Sequence, residues 1–436
     1  MYGESQKILG SVTISDEIAA QVKKEIKNIS DFKKKTEAFL TQKTTDLLDV
    51  LLAGSIIIGA SDIHFEAQEE QARLRVRLDG VLQDVLAIEL KTYQSLISRL
   101  KLLSKIKLNI TDKPQDGRFT ILVEEIPVEI RTSTLPSEYG ESIVMRILNP
   151  KSLIGLEALG LRKDLLETFQ KEILKPNGMI IVTGPTGSGK TTTLYAFLMK
   201  IQSPDIKIIT IEDPIEYHLK GVSQTQVAPE KGYDFKEGLR SIVRQDPDVI
   251  LIGEIRDLET AKIALQASLT GHLVLSTLHT NDAAGTIPRL IDLGADASSI
   301  ASAVTMAVAQ RLVRKVCTKC STMAKPTPEE LKEIEQGLSN LPKNVKVNSI
   351  DKNFKIAKAK GCEHCNNTGY RGRKGLFEAF QIDNEIEKFI LTNPPVSALR
   401  ELAVKKGMVT MYQSGLIDVV AGETTLEEVK RLVEEN

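Results

Sequence analysis

Between residues 179 and 277 the chain alternates short apolar runs with longer stretches of helical pattern. The apolar runs lie at 179–183, 206–211, 249–252 and 273–277. Apolar runs of this length are typical of strands buried on both faces, and strands separated by helices form parallel sheets. The sequence therefore predicts an α/β fold with a largely parallel sheet covered by helices. Ligands of such sheets bind at the carboxyl ends of the strands.

The first of these runs leads directly into a glycine-rich loop with the spacing of a phosphate-binding loop. The loop and the helix start after it read Gly184-Pro185-Thr186-Gly187-Ser188-Gly189-Lys190-Thr191-Thr192. Glycines let consecutive backbone N–H groups point at phosphate oxygens at the N-terminus of a helix. We expect Lys190 to reach the β- and γ-phosphates and the Thr191 hydroxyl to ligate Mg²⁺. These nine residues predict a site for ATP with Mg²⁺.

Acidic residues follow two of the other runs, at the edge where a parallel sheet binds its ligand. Glu254 closes the third run, in the Walker B position of a metal-side acid. Three acids, among them Glu212 and Glu216, follow the second run, where Pro214 must end the strand. Carboxylates beside a triphosphate repel it unless a metal ion or an arginine intervenes. The pattern therefore predicts a cation-containing site.

Histidine occurs only five times in the chain, and two of these residues flank the fourth apolar run. A histidine at a strand end is more often a structural residue than a ligand-binding one. His279 stands at the predicted binding edge and is followed by polar residues, which favours it as a sensor of the γ-phosphate. His272 stands at the opposite end of the strand, so we expect a structural role for it.

The region from about residue 44 to residue 150 has a mixed pattern of helix and strand. Apolar residues alternate with arginines over 73–78, and Asp79-Gly80 then supplies the positive-φ turn of a hairpin. A helical pattern and two further strands follow. These elements predict a small α+β domain.

Residues 1–43 form an N-terminal arm with apolar residues at helical spacing from Ser15 and a local excess of lysine. One interpretation is a solvated helix whose apolar stripe lies on its own domain. The other is a docking arm for a membrane-bound partner.

Composition narrows the class of protein. The 436 residues predict two to four domains, and 57 Lys and Arg against 58 Asp and Glu leave a net charge of -1. There is no global basic field, so no nucleic-acid partner is expected. The longest apolar runs fall short of the roughly 18 to 20 residues that a membrane span needs. The N-terminus has no signal-peptide pattern, so we expect a cytosolic chain with reduced or metal-bound cysteines.

The four cysteines form two CxxC pairs with 41 residues between them, inside a segment at 312–380. They are Cys317, Cys320, Cys362 and Cys365. Each pair can supply two ligands to a tetrahedral ion. The two pairs together therefore predict one structural zinc site of four thiolates with no open position. Redox chemistry would need only one pair in a thioredoxin-like context. His364, inside the second pair, is an alternative ligand, although four thiolates already complete the shell.

Taken together, the motifs resemble those of the type II secretion and type IV pilus assembly ATPases. The longest match is RQDPDVILIGEIRD at 244–257. Further matches follow the family's order at 60–66, 115–118, 131–136, 142–146, the phosphate loop, 212–216, the histidine segment and 422–428. The resemblance covers about residue 44 to the end of the chain. It implies a PAS-like domain at 44–150 and a RecA-like ATPase domain at 151–436, with the zinc module at 312–380 and C-terminal helices at 384–436.

The resemblance also implies roles for individual residues. Glu216 matches the glutamate that activates water, Glu254 the Walker B acid, and His279 the histidine of the family's His box. The implied reaction is attack of water in line on the γ-phosphorus of ATP. Its expected use is to drive polymerisation of pilin or pseudopilin subunits.

Four arginines match those that the family offers to the nucleotide. Arg131 and Arg146 belong to the PAS-like domain, and Arg240 and Arg244 to the ATPase domain. Their chemistry agrees, because the permanently charged guanidinium group can neutralise charge that develops on a transferred phosphoryl group.

The family implies a homo-hexamer in the cytoplasm, peripheral at the inner membrane. Its expected partners are an inner-membrane platform protein and associated cytoplasmic docking proteins. The cysteine module favours assembly or secretion, because retraction ATPases generally lack it. Alternatives are a pilus retraction motor, a RecA-like nucleic-acid translocase whose zinc module grips DNA or RNA, and a nucleotide-gated ring without appreciable hydrolysis. The near-zero net charge argues against the translocase.

Overall fold

The computed structural model describes residues 11–123 and 126–434, which fall into two compact units. The first unit is Met1–Ser152 with Cys317–Cys320 and Lys360–Arg371; the second is Leu153–Val316, Ser321–Ala359 and Gly372–Asn436. Residues 1–10 of the expected arm and 435–436 of the expected C-terminal helices lie outside the described residues.

The cysteine segments therefore group with the first unit, whereas the sequence-based division assigns them to the ATPase domain. A hydrogen bond within the first unit gives a physical reason for this difference. The backbone N–H of Ile29 donates to Oδ1 of Asn366 at 2.8 Å, although 337 positions separate them in the sequence.

The first unit combines helices with a mainly antiparallel sheet. Its strands are β1 (Ser11–Thr13), β2 (Asp62–Ala67), β3 (Gln71–Leu78), β4 (Val81–Glu89), β5 (Gln115–Val123), β6 (Ile126–Ser137) and β7 (Gly140–Leu148). Its helices are α1 (Asp16–Glu25), α2 (Ile29–Phe39), α3 (Thr44–Ile57) and α4 (Leu90–Leu103). The strand order is β1-β5-β6-β7-β2-β3-β4, and only the pair β1 and β5 is parallel. The predicted α+β architecture is confirmed.

The hairpin predicted at Asp79-Gly80 is confirmed. Leu78 pairs with Val81, so these two residues form the whole connection between β3 and β4. Their φ angles are 48° and 86°, the left-handed geometry that a two-residue hairpin turn requires.

Charged residues lie in register across five strands of this sheet. Arg118, Arg131, Arg146, Asp62 and Arg77 are successive partners on β5, β6, β7, β2 and β3, and we call them the arginine row. Alternate side chains of a strand point to opposite faces. The positions next to the row accordingly hold buried residues such as those at 119, 130 and 147, and the row lies on the face opposite this core.

The second unit contains the parallel sheet that the sequence predicts. Its strands are β8 (Gly178–Thr183), β9 (Ile208–Glu212), β10 (Ser223–Gln226), β11 (Val249–Ile252), β12 (Leu273–Leu278), β13 (Val304–Val316) and β16 (Tyr370–Gln381), with a separate pair β14 (Thr322–Ala324) and β15 (Ile356–Lys358). The order is β10-β9-β11-β12-β8-β13-β16, and the pairs from β10 to β13 are parallel.

Helices cover both faces of this sheet. The helices of the second unit are α5 (Lys163–Glu172), α6 (Lys190–Ile201), α7 (Phe235–Val243), α8 (Leu258–Leu269), α9 (Thr286–Asp292), α10 (Ala297–Ala303), α11 (Pro328–Leu338), α12 (Asn384–Ile390), α13 (Val396–Lys405), α14 (Met411–Val420) and α15 (Leu426–Glu434). Ile180 of β8 shares a core with Phe197 of α6, while Ile181 shares another with Ala264 of α8. No helix among the described residues is both long and apolar enough to cross a bilayer.

Candidate active site

The glycine-rich loop connects β8 to α6, as the sequence predicts. Gly184, Gly187 and Gly189 have φ angles of 149°, 81° and 92°, which side-chain-bearing residues rarely adopt. A Cβ atom on Gly184 would lie 2.5 Å from the backbone oxygen of Gln310, so no larger residue fits there. The oxygen Oγ of Ser188 is buried and has no hydrogen-bond partner among the described residues. It is therefore available as a donor to a phosphate oxygen.

Lys190 begins α6 and bonds back onto the loop. Its Nζ donates to the carbonyl oxygens of Gly184 at 2.8 Å and Pro185 at 3.1 Å. The pKa of Lys190 is lowered to about 8, chiefly by burial; the charge of Glu254 acts to raise it, and that of Arg311 acts to lower it. An anion in the loop would compensate the buried ammonium, so the site fits phosphate. Thr191 and Thr192 follow, half-buried, in the first turn of the helix.

Glu254 lies just beyond the end of β11 and contacts two cationic or potentially cationic side chains. Its Oε2 is 3.4 Å from Nε2 of His279, and its Oε1 forms an ion pair with the guanidinium of Arg256. The pairing with Glu254 raises the pKa of Arg256. Arg256 was not among the residues expected at the site, because a single arginine after a strand carries no distinguishing local signal.

The register of β11 and β12 brings Glu254 and His279 together. Ile252 pairs with Ser276, and the Thr277 hydroxyl donates to the carbonyl of Gly253 at 2.7 Å. Both residues therefore leave the same edge of the sheet one or two positions after their strands end. His272, at the far end of β12, instead has Nδ1 2.8 Å from the carbonyl oxygen of Ala267, in agreement with a structural role.

Hydrogen bonds join the segment after His279 to β8 and β13. The N–H of Thr280 donates to the Thr183 hydroxyl at 2.7 Å, immediately before the phosphate loop. The buried guanidinium of Arg311 donates to the carbonyl of Asn281 at 3.0 Å. Next to it, Gln310 accepts a 2.8 Å hydrogen bond from Thr193 of α6. These bonds tie the phosphate loop to the histidine segment, and the sequence did not indicate Gln310 or Arg311.

The two acids after β9 differ in their surroundings. Glu212 is buried and accepts hydrogen bonds from the hydroxyls of Tyr195 and Thr210 and from the amide of Gln224. Burial raises its pKa, and the nearby negative charge of Glu216 acts in the same direction. Three donors therefore already occupy the carboxylate of Glu212, one of the acids that the sequence places at the cation-containing site. Glu216 is half-buried in the loop after the strand.

Arg240 and Arg244 lie at the C-terminal end of α7 and beside a cavity of about 540 Å³. Nη1 of Arg240 is 2.9 Å from Glu237, and Nη2 of Arg244 is 3.4 Å from the Ser241 hydroxyl. These contacts keep both guanidinium groups on exposed helical surface.

Arg131 and Arg146 are neighbours in the arginine row of the first unit. Each is paired through Nε: Arg131 with Oε1 of Glu129 at 3.2 Å and Arg146 with Oδ1 of Asp62 at 3.1 Å. Like charges directly opposite each other on adjacent strands are destabilising, so the two carboxylates offset a cost of placing these arginines together.

The four cysteines come together as predicted. Their Sγ atoms all lie within 4.8 Å of one another, with separations of 4.0 Å for Cys317 and Cys362, 3.7 Å for Cys320 and Cys365, and 3.8 Å for Cys362 and Cys365. A tetrahedral zinc ion with Zn–S bonds of about 2.3 Å requires S–S separations of about 3.8 Å. The donor set therefore fits zinc. His364 is outside the cluster, because its Nδ1 pairs with Arg371 at 2.9 Å.

Backbone groups support the cysteine cluster. The N–H of Gly361 donates to Sγ of Cys320 at 3.3 Å, and the N–H groups of Cys362 and Gly369 donate to Sγ of Cys365 at 3.2 and 3.3 Å. Such hydrogen bonds favour the thiolate form, which is the form that binds a metal ion.

Comparison with known proteins gives a consistent family. The family model described as "Type II/IV secretion system protein" matches residues 39–431. The type II secretion system protein E of Xanthomonas campestris is 39% identical over 435 residues, which span 100% of this chain and 74% of that protein. The type II secretion system ATPase E of Vibrio cholerae is 42% identical, over 89% of this chain and 75% of that one. The type IV pilus assembly ATPase PilB of Thermus thermophilus is 43% identical, over 85% of this chain and 41% of that one.

Solved structures with the same fold include an ATPase and a pilus retraction motor. The Legionella pneumophila ATPase DotB matches with a TM-score of 0.65 and 22% identity, over 91% of this chain and 97% of that one. The pilus retraction motor PilT with bound ADP matches with a TM-score of 0.59 and 27% identity, over 88% of this chain and 95% of that one. Because the sequence identity with DotB is only 22%, that match supports the fold alone.

Proposed function

The chain belongs to the type II/IV secretion system protein family of ATPases, and we propose that it hydrolyses ATP to drive assembly of pilin-like subunits in a type II secretion system or a type IV pilus. One observation carries the proposal above the others. Lys190, Glu254 and His279 meet at one edge of the sheet, with His279 3.4 Å from Glu254 and the charge of Glu254 acting on Lys190. A phosphate-binding lysine, a metal-side acid and a potential phosphate sensor are thus in one place.

In the proposed reaction, Lys190 exchanges its two loop carbonyls for the β- and γ-phosphate oxygens. Glu216 accepts the proton of the water that attacks the γ-phosphorus, the bond from that phosphorus to the β–γ bridging oxygen breaks, and ADP is the leaving group. His279 hydrogen-bonds the γ-phosphate. Mg²⁺, when bound through the Thr191 hydroxyl and beside Glu254, supplies positive charge to the phosphate oxygens. The arrangement that holds Glu254 between His279 and Arg256 fixes the direction of its carboxylate.

The arginines require assembly into a hexamer in this proposal. Arg131 and Arg146 belong to a different unit from the phosphate loop, and Arg240 and Arg244 engage residues of α7. We propose that movement between units and contact between neighbouring subunits bring them to the nucleotide. Their charge would then stabilise the transferred phosphoryl group only in the assembled ring.

We propose a place in the cytoplasm, peripheral to the inner membrane, with a platform protein and cytoplasmic docking proteins as partners. The relatives named for type II secretion and pilus assembly support this placement. Assembly is favoured over retraction by the cysteine cluster, which fits one zinc ion per chain.

The test is made in the cell that produces the protein. Deletion of the gene should abolish secretion through, or fibres made by, the pilin-like system. A wild-type copy should restore it, a Glu216→Gln copy should not, and a Glu230→Gln copy, altered at an exposed acid of the same unit, should. An excess of fibres after deletion would instead indicate retraction. Oligonucleotide binding that weakens steeply with salt would favour the translocase.

A further inference from the structure

Asp62 is a buried carboxylate held between two arginines. It stands on β2, with Arg146 of β7 as its partner on one side and Arg77 of β3 on the other. Its Oδ1 is 3.1 Å from Nε of Arg146, and its Oδ2 is 3.4 Å from Nε of Arg77. The Ser61 hydroxyl also donates to Oδ2 at 2.9 Å. Only 5% of Asp62 is exposed, so this carboxylate has little water to compete for its donors.

The side chain of Arg146, in contrast to the buried Asp62, is 55% exposed. Asp62 engages its Nε, which is the one nitrogen of this guanidinium with a hydrogen-bond partner among the described residues. A guanidinium group carries five N–H donors in a rigid planar fork. Attachment through Nε therefore fixes the plane of the fork and leaves its outer end able to bind a second anion in bidentate fashion.

The stability of the sheet does not by itself explain why an arginine stands at position 146. Arg77 lies on the far side of Asp62 and can neutralise it without Arg146. Placing Arg146 directly opposite Arg131 carries a like-charge cost that a neutral residue would avoid. The sheet therefore tolerates Arg146 at this position, and Asp62 offsets the repulsion while it restrains the side chain.

We propose that Asp62 is a positioning residue that holds Arg146 in the orientation in which its terminal nitrogens bind the nucleotide phosphates. The inference rests on the proposed function, since it takes Arg146 to act on ATP. Asp62 itself does not contact the nucleotide, and its effect on hydrolysis passes through Arg146.

The main experiment measures steady-state ATP hydrolysis by the full chain at a concentration where light scattering reports hexamers. Asp62→Asn should lower kcat by about tenfold or more, because small displacements of a positioned group have large effects on rate. The KM for ATP should change by less than about twofold, since binding through the phosphate loop is retained. Asp84→Asn is the matched control. It removes another carboxylate that pairs with an arginine, Arg73, on the same sheet, and it should leave kcat within about twofold of the wild type.

A double-mutant cycle separates positioning from general stability. The variant Asp62→Asn/Arg146→Ala should have the same kcat as Arg146→Ala alone, because Asp62 acts only through that arginine. Arg77→Ala keeps the pair of Asp62 and Arg146 and should retain wild-type kcat. Multiplicative losses in the double variant, or an equal loss in Arg77→Ala, would overturn the inference while leaving the proposed function intact.

Two further outcomes are decisive. If Arg146→Ala has wild-type kcat, both the role of Arg146 in the proposed function and the inference fail together. If Asp62→Asn does not assemble, Asp62→Glu takes its place, because it keeps the charge and moves the carboxylate by one methylene. A kcat reduced severalfold in Asp62→Glu hexamers supports positioning, and a wild-type kcat contradicts it.

Discussion

Nε2 of His279 lies 3.4 Å from Oε2 of Glu254, across the parallel strands β11 and β12. Arg256 pairs with the other oxygen of the same carboxylate. Glu254 is therefore held from two sides and also contributes charge to the environment of Lys190. In the proposed function, a change at the γ-phosphate that moves His279 would be transmitted directly to Glu254, the proposed metal-side acid.

Replacement of either proposed catalytic acid should separate ATP binding from hydrolysis. Glu216→Gln removes the proton acceptor and Glu254→Gln removes the metal-side charge, so each should lower kcat by about 100-fold or more, typical of losing a general base or an electrostatic stabiliser. Affinity for a fluorescent ATP analogue should fall much less. Glu230→Gln is the control, because Glu230 is exposed and is not part of the site. Turnover near the wild-type value in Glu216→Gln would remove it from the role of base.

The lowered pKa of Lys190 predicts that ATP binding depends on pH. Its pKa is lowered to about 8, chiefly by burial, so the free protein loses the ammonium charge as the pH rises above 8. Bound phosphate favours the charged form, so binding above pH 8 should be accompanied by proton uptake and should weaken as the pH rises. Calorimetry in buffers of different ionisation enthalpy measures this uptake.

The controls for this prediction lie in the same helix. Lys200→Ala, an exposed lysine of α6 that pairs with Glu157, should keep both affinity and proton uptake. Lys190→Ala should lose tight binding. A wild-type affinity that is constant from pH 7 to 9 would contradict the lowered pKa.

The same lysine also affects the stability of the nucleotide-free protein. Because its pKa in the folded protein lies below the ordinary lysine value of 10.5, the unfolded chain binds more protons between about pH 8 and 10.5. The free energy of unfolding should therefore gain a contribution that rises with pH across this window. Denaturant titrations of the wild type and of Lys190→Ala should differ in slope there, and identical slopes would rule the contribution out.

The arginines of the first unit should matter for turnover more than for binding. Arg131→Ala and Arg146→Ala should each lower kcat by about 10³, as the loss of an arginine finger does, with a much smaller effect on ATP affinity. Specific activity of the wild type should rise with protein concentration as hexamers form. Activity that is constant from nanomolar to micromolar protein, with a monomeric mass throughout, would contradict an assembled site.

Metal removal should loosen α2 together with the cysteine segments. One zinc ion per chain should be found by elemental analysis, and Cys365→Ser should lose it. Thiolate ligation stabilises only the folded segments, and Asn366, which follows Cys365, accepts the hydrogen bond from Ile29 at the start of α2. Chelation should therefore speed hydrogen exchange at residues 29–39 and 360–371 before it affects the sheet of the second unit.

Asn366→Gly separates the metal from the hydrogen bond. Glycine keeps the positive φ of 52° at this position but removes the side-chain acceptor. The variant should retain its zinc and destabilise the start of α2 by about 1 kcal/mol, the value of a lost helix cap. Unchanged exchange at residues 29–32 in this variant would show that the bond does not stabilise the helix.

Several features of this protein are determined by the sequence alone, because each depends on residues that are close together in the chain or on ligand chemistry. The phosphate loop needs glycines at positions with positive φ between a strand and a helix. The hairpin at Asp79-Gly80 needs two such residues in succession. Buried parallel strands need short apolar runs, and four thiolates in two CxxC pairs suffice to indicate a tetrahedral metal site. Local patterns carry this information directly.

Other features were decided only by the tertiary structure, since they join residues that no local pattern connects. The register of β2 and β7 pairs Asp62 with Arg146, 84 positions away. Folding brings Asn366 to Ile29, and the cysteine segments group with the first unit. It also surrounds Glu212 with three hydrogen-bond donors, whereas Glu254 contacts His279. Strand register and side-chain packing set these distances, and a pattern read along the chain does not contain either of them.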